Sequence, residues 1–328
     1  MNRVEENKKI VIDVHLDAQD PELIHAELRR ALTSTPRALP TKYLYDDRGS
    51  ELFERICELP EYYQTRTEQK LLSACADQVV SLTEAEELVE LGSGAATKTR
   101  LLLDAMARAH QLRFYVPFDV SEGIVRRVAQ ELVQEYEDLQ VHGVVGDFLT
   151  HLEHIPEGGR RLVIFLGGTI GNLVEAAALT FLTSIQKEMA SGDFFLLGVQ
   201  LETDVHRLEA AYNDAQGVTA QFNKNILRVM QMMVGATLIP ETFQHIALYN
   251  QAEHRIEMRL RSVREQFIDV PGINLSFTLQ KGEDILTEIS TKYDRHRTEA
   301  LLRNSGFQIV EWFTDPEQLM GLALACKP

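Results

Sequence analysis

Glu90–Arg100 reads ELGSGAATKTR, a glycine-containing turn that follows the apolar run ELVEL at Glu87–Leu91 and precedes a helical pattern. Gly92, Thr97, Lys98 and Thr99 fall one residue short of a phosphate-cradling G-x-x-x-x-G-K-[ST] loop. Gly92 and Gly94 begin, without completing, a dinucleotide G-x-G-x-x-G. A phosphate loop needs its second glycine because backbone amides wrap the phosphates, and a β-branched Thr97 there would press into the cradle. A dinucleotide loop needs its third glycine for close helix packing, where Thr97 fails again. What survives is a strand ending at Glu90, a tight turn through Gly92 and Gly94, and a helix expected to enter at Thr97. Such a turn cradles no phosphate.

Working outward, residues 67–200 alternate between helical and short apolar segments, the pattern of βαβ units in a parallel sheet. The strand YVPFDVS carries Asp119 at its end, and the strand after it closes on Gly146-Asp147-Phe148. A strand-end carboxylate can accept both hydroxyls of a ribose, and Asp beside an aromatic ring suits the amino group and face of an adenine. Beyond Leu201 the pattern changes. Leu208–Met233 reads as a long helix interrupted at Gly217, and HRIEMRLRSVREQF and GINLSFTLQ alternate with period two, as half-buried antiparallel strands do. The helix RTEALLRNSG and the strands FQIVEWF and GLALACK end the chain, the strands forming an antiparallel hairpin expected to join the sheet. The first 66 residues carry no pattern that places them. The fold class is α/β, a doubly wound sheet with a second, α+β domain.

Composition excludes several classes of function. Lys and Arg total 33 against 49 Asp and Glu, and the net charge of -16 opposes the phosphate attraction on which nucleic-acid affinity depends. No apolar run approaches the roughly 20 residues that span a bilayer. The N-terminus MNRVEENKKIVIDVHLDAQD lacks the apolar stretch of a signal peptide, so a cytoplasmic location is expected. Cys57, Cys75 and Cys326 show neither metal-ligand spacing nor an even disulfide set, and no metal is expected.

The order E-x-G-x-G, then Asp, then Asp-Phe at successive strand ends resembles that of S-adenosylmethionine methyltransferases, whose ligand has no phosphate. A narrower resemblance rests on LPTKYLYDDRGSELFERI, LPEYYQTRTE, ELGSGAATKTRLLLDAM, VPFDVS, FLGGTIGNL, AAYNDAQGVTAQFNKN, RIEMRLR and ILTEISTKY. In this order they closely resemble the L-histidine Nα-methyltransferases of ergothioneine biosynthesis, over about Leu39–Lys327. The resemblance implies a monomeric two-domain enzyme converting L-histidine to hercynine in three transfers from S-adenosyl-L-methionine. It implies a methyltransferase domain of residues 67–202 plus 294–328 and a substrate-binding domain of residues 1–66 plus 203–293. The cofactor site would fall on Tyr45, Gly92, Lys98, Asp119, Asp147 and Phe148, and the histidine site on Tyr62, Asn172, Tyr212, Met258, Glu288 and Ser290. Tyr45, in KYLYD, is the expected contact to both cofactor and amine.

Spacing adds a physical reason for part of that set. In LTEISTK a strand places Glu288, Ser290 and Lys292 on one face and Thr287, Ile289 and Thr291 on the other. Glu288 and Ser290 can then reach the two nitrogens of one imidazole. Asn172 ends LVIFLGGTIGN at the carboxyl edge of the sheet, where open α/β folds bind ligands. The alternation in RIEMRLR puts Met258 with Ile256 and Leu260 on one face. One departure stands out: where the resembled pattern reads LGTDLVKD, Leu197–Asp204 reads LGVQLETD, so Gln200 and Thr203 replace an acid and a lysine. The alternatives are a methyltransferase of the same fold acting on another small amine or amino acid, and a nicotinamide-dependent oxidoreductase, against which Thr97 and the Asp147-Phe148 pair argue.

Overall fold

The computed structural model describes residues 9–15 and 21–328. The N-terminal part of the chain contributes to two layers. β1 (Ile10–Val14) pairs in parallel with a strand of the large sheet, and Ile10 and Ile12 pack on the core beneath it. That strand thus lies outside the division expected for residues 1–66. α1 (Pro21–Thr33), β2 (Arg37–Ala38) and α2 (Asp47–Glu58) belong to the smaller layer. Asp46 caps α2 by accepting from Gly49 N at 2.8 Å, and the same oxygen accepts from Asn225 Nδ2 at 2.6 Å, a long-range bond that fixes the loop carrying Tyr45.

The alternating region follows as α3 (Gln64–Thr83), β3 (Glu87–Leu91), α4 (Arg100–Arg108), β4 (Phe114–Asp119), α5 (Glu122–Glu135), β5 (Gln140–Val145), β6 (Arg161–Phe165), α6 (Glu175–Glu188) and β7 (Phe194–Gln200). α4 starts at Arg100 rather than at Thr97, because the turn continues through Ala96, whose φ is +52°. The interrupted helix resolves into α7 (Val205–Ala211) and α8 (Val218–Val234). Five strands come next: β8 (Phe243–Asn250), β9 (Arg255–Ser262), β10 (Gln266–Val270), β11 (Leu275–Leu279) and β12 (Asp284–Thr291). The chain closes with α9 (Arg295–Asn304), β13 (Gln308–Thr314) and β14 (Met320–Cys326).

The large sheet has the order β1-β5-β4-β3-β6-β7-β14-β13, parallel as far as β7, with the terminal hairpin antiparallel at the edge. Leu72 and Val79 of α3, Leu102 of α4 and Leu132 of α5 cover one face; Phe181 and Leu182 of α6 and Leu302 of α9 cover the other. Covered on both faces, β3 is wholly buried, which is why ELVEL is a nearly unbroken apolar run. Its two acids are paired: Glu87 with Arg161 at 2.9 Å, and Glu90 with the hydroxyls of Thr99 and Tyr115. From β3 the chain proceeds to β4 and β5 on one side and to β6 and β7 on the other, so the crevice outside the strand ends lies between β3 and β6.

The second layer is the sheet β2-β12-β9-β8 with the β10-β11 hairpin, packed by Leu28 and Leu32 of α1, Leu52 and Ile56 of α2, and Phe222 and Met230 of α8. The two layers meet where the turn after β6 abuts β12. A Cβ on Gly171 would stand 2.7 Å from Thr291 O, so only glycine lets that turn lie against the strand.

Candidate active site

On the large-sheet side the loop after β3 is held by the next strand end. Gly92 N donates to Phe118 O at 2.8 Å, Gly94 N to Asp119 Oδ2 at 2.9 Å and Ser121 N to Asp119 Oδ1 at 3.0 Å. Burial raises the Asp119 carboxyl while these backbone donors pull it back down. Each Asp119 oxygen keeps a lone pair beyond the one used. Gly92 lies beside the Phe148 ring, which is braced by Phe165, edge-on at 5.3 Å, and by Phe181, tilted at 5.5 Å. Asp147 accepts from Leu149 N at 2.9 Å, an Asx turn that fixes its carboxylate at the end of β5. Lys98 pairs with the buried Glu68, whose other oxygen accepts from Gly167 N at 2.7 Å.

On the second-layer side the residues gather around β12. A β-bulge between Leu286 and Glu288 precedes the site, a device that re-aims side chains next to functional positions. Thr287 turns away to Asn223 at 2.6 Å. Glu288 Oε1 receives the Tyr45 hydroxyl and Asn172 Nδ2, each at 3.4 Å, so side chains from the N-terminal loop and from the large-sheet edge converge on one carboxylate. Both bonds are at the weak end of the range and are readily exchanged for a ligand. Ser290 Oγ receives the Tyr212 hydroxyl at 2.8 Å, Tyr62 stands edge-on to Tyr212 with ring centroids 6.1 Å apart, and Met258 is the cross-strand partner of Glu288.

Burial pushes the Glu288 carboxyl up to about 7 against the pull of Lys292 and Tyr45, and pushes the Lys292 ammonium down to about 7 against the pull of Glu288. The Tyr45 and Tyr62 phenols are raised well above their ordinary value by burial, and so stay neutral.

Of the residues expected from the sequence, Tyr45, Asn172 and Glu288 are brought into one bonded group, and Tyr62, Tyr212, Ser290 and Met258 lie around it. Gly92, Asp119 and Phe148 cluster at the ends of β3, β4 and β5. Tyr45 lies on the second-layer side, with its ring against Phe53 and Phe222. Sequence reasoning missed Glu68, which sits inside an amphipathic helix with nothing local to mark it as buried. It also missed the part played by Gln200. Gly167 joins the two sides: its N–H donates to Glu68, the partner of Lys98, and its carbonyl accepts from Gln200 Nε2 at 3.4 Å. Gly168, at φ +68°, lies so close to Gln200 that a Cβ would stand 2.6 Å from Gln200 Cγ.

The family model described as histidine-specific, S-adenosylmethionine-dependent methyltransferase matches residues 24–327. A histidine N-alpha-methyltransferase of Mycolicibacterium smegmatis is 43% identical, across 93% of this chain and 95% of that protein. One of Mycobacterium tuberculosis is 45% identical, across 92% of this chain and 96% of that protein. An ergothioneine biosynthesis protein 1 of Neurospora crassa is 32% identical across 89% of this chain, which matches 33% of that longer protein.

Proposed function

The chain belongs to the histidine-specific, S-adenosylmethionine-dependent methyltransferases, and from that premise we propose that it transfers three methyl groups in succession to the α-amino nitrogen of L-histidine, giving hercynine for ergothioneine synthesis. Residues 67–202 plus 294–328, with β1, form the cofactor-binding unit in this reading; the rest of 1–66 and 203–293 bind histidine.

The residues at the strand ends suit S-adenosylmethionine. Asp119 has lone pairs for the ribose hydroxyls, Asp147 and the Phe148 face suit an adenine, and Lys98 suits the carboxylate of the methionine portion. When bound, S-adenosylmethionine supplies a methyl group made electrophilic by its sulfonium sulfur.

The protein's contribution is positioning. Glu288 accepts the imidazole N–H, Ser290 faces the other ring nitrogen, and Asn172, Tyr62 and Tyr212 hold the carboxylate. Tyr45, kept neutral by burial, is no general base. It serves as an acceptor that orients the amino group, whose proton leaves to water before attack. Each of the first two products regains a lone pair on losing a proton; the third has none, and the sequence stops there.

The observation that carries this reading is the convergence of Tyr45 and Asn172 on the buried Glu288, two positions from Ser290 on one strand face. Incubating the protein with S-adenosylmethionine and a mixture of free amino acids tests it by mass. Histidine is expected to gain one, two and three methyl groups. Methylation of another amino acid, or of none, overturns the reading.

A further inference from the structure

Lys292 is fully buried, yet its ammonium has no carboxylate within ion-pair distance among the described residues. Its three N–H groups go instead to three neutral oxygens: Ser290 Oγ at 2.7 Å, Tyr212 Oη at 2.9 Å, and Gln200 Oε1. An ammonium has three donors and no acceptor, so this set saturates it. The amide of Gln200 is oriented for the purpose, because Nε2 donates to Gly167 O at 3.4 Å and leaves Oε1 toward the lysine. Burial disfavours the protonated form of Lys292, while the field of Glu288 favours it.

Two arrangements of the hydroxyl protons are open. In one, Tyr212 donates to Gln200 at 3.0 Å and Ser290 to Tyr212, and the cluster closes on itself. In the other, Tyr212 donates to Ser290 across the shorter 2.8 Å separation. Both lone pairs of Ser290 Oγ are then filled, by Tyr212 and Lys292, and its own proton faces out of the cluster. A cation 2.7 Å behind the oxygen favours the second, since it draws the lone-pair density toward itself and sharpens the outward O–H as a donor.

We propose that Lys292 is a positioning residue that sets the polarity of the ring-binding pocket, turning Ser290 into a donor. With Glu288 as acceptor, the pocket then selects a neutral ring bearing one N–H and one unprotonated nitrogen. This rests on the histidine reading above. It places the recognition of the second ring nitrogen in a lysine that does not touch the substrate.

The test compares wild type, Lys292→Met, Ser290→Ala and the double variant, with histidine KM, kcat and calorimetric S-adenosylhomocysteine affinity as readouts. Lys292→Met is expected to raise the histidine KM at least tenfold while homocysteine-ligand affinity stays within twofold. In the Ser290→Ala background the same change is expected to raise KM by less than threefold, because its effect passes through that hydroxyl. An unchanged KM in Lys292→Met, or an undiminished effect in the Ser290→Ala background, overturns the proposal.

Should Lys292→Met fail to fold, unmodified protein gives the second measurement. β-(2-pyrrolyl)alanine keeps a ring N–H for Glu288 but has no acceptor for Ser290. It is expected to have a KM at least tenfold above that of histidine, and a KM equal to that of histidine overturns the proposal. Because histidine turnover by wild type is the baseline throughout, failure of the histidine reading itself would show as no turnover at that baseline.

Discussion

The two sides of the crevice are built differently. At the large-sheet side the carboxylates at the strand ends are tied down by their own loops and neighbouring strands: Asp119 by Gly94 N and Ser121 N, Asp147 by Leu149 N, Glu90 by Thr99 and Tyr115. At the β12 side, Glu288 is held by two bonds of 3.4 Å from chain segments more than a hundred residues away. The first side is pre-organised by its own backbone. The second is assembled by tertiary packing and holds its key acid loosely, so that a ligand can complete it. The contrast predicts that the two ligands respond to separate sets of substitutions.

The largest expected effect is on the rigid side. Asp119→Ala removes both the staple of the glycine loop and the acceptor proposed for the ribose, and two charged hydrogen bonds are worth about 3 kcal/mol or more, roughly 100-fold or more in affinity. Calorimetry with S-adenosylhomocysteine should show that loss, and an affinity within fivefold of wild type would break the comparison.

Glu288→Ala comes next. Losing one charged hydrogen bond to the imidazole costs about 1.5–3 kcal/mol, roughly 10- to 150-fold in histidine affinity, with S-adenosylhomocysteine binding within twofold. A parallel loss of both ligands would mean that the sides are not separable.

A pH titration sharpens the same point. Burial raises Glu288 to about 7, against Lys292 and the Tyr45 hydrogen bond, and Asn172 is bonded to the same carboxylate. Lowering the pH through this range protonates the carboxyl and removes the charged acceptor. Histidine affinity, measured with S-adenosylhomocysteine bound, should therefore fall as the pH drops from about 7.5 toward 6.2, by at most about tenfold per pH unit. In Glu288→Ala the slope should shrink to the part set by protonation of the histidine ring itself. An undiminished slope would assign it to another group.

The smallest effect belongs to Tyr45→Phe, which removes one long bond of 3.4 Å. All three transfer rates are expected to fall, roughly fivefold for about 1 kcal/mol. Full rates for all three would remove Tyr45 from the mechanism.

The same contrast explains what could be read from the chain. The large-sheet side follows from local pattern: ELVEL buried on both faces, a turn that Thr97 keeps from cradling phosphates, and acids at successive strand ends. The structure shortens the helix start, because Ala96 extends the turn, and adds β1, which no pattern placed, to the edge of the sheet. The alternation in LTEISTK put Glu288, Ser290 and Lys292 on one face, and the bond from Lys292 Nζ to Ser290 Oγ agrees with it. Which segments would meet that face was not in the spacing, since Tyr45, Asn172 and Tyr212 reach it only through tertiary packing; the resemblance named them. Neither route marked Glu68 or the role of Gln200. Their partners, Lys98 and Lys292, lie 30 and 92 positions away, and no periodicity connects such pairs.

In the proposed function the ring of histidine is gripped on the β12 side while its amino group is presented to the methyl donor. Supplying S-adenosylmethionine labelled with carbon-13 in the methyl group and locating the label in the product by nuclear magnetic resonance tests this most directly. Three equivalent labelled methyls are expected on the α-nitrogen and none on the ring. Label on an imidazole nitrogen would contradict it.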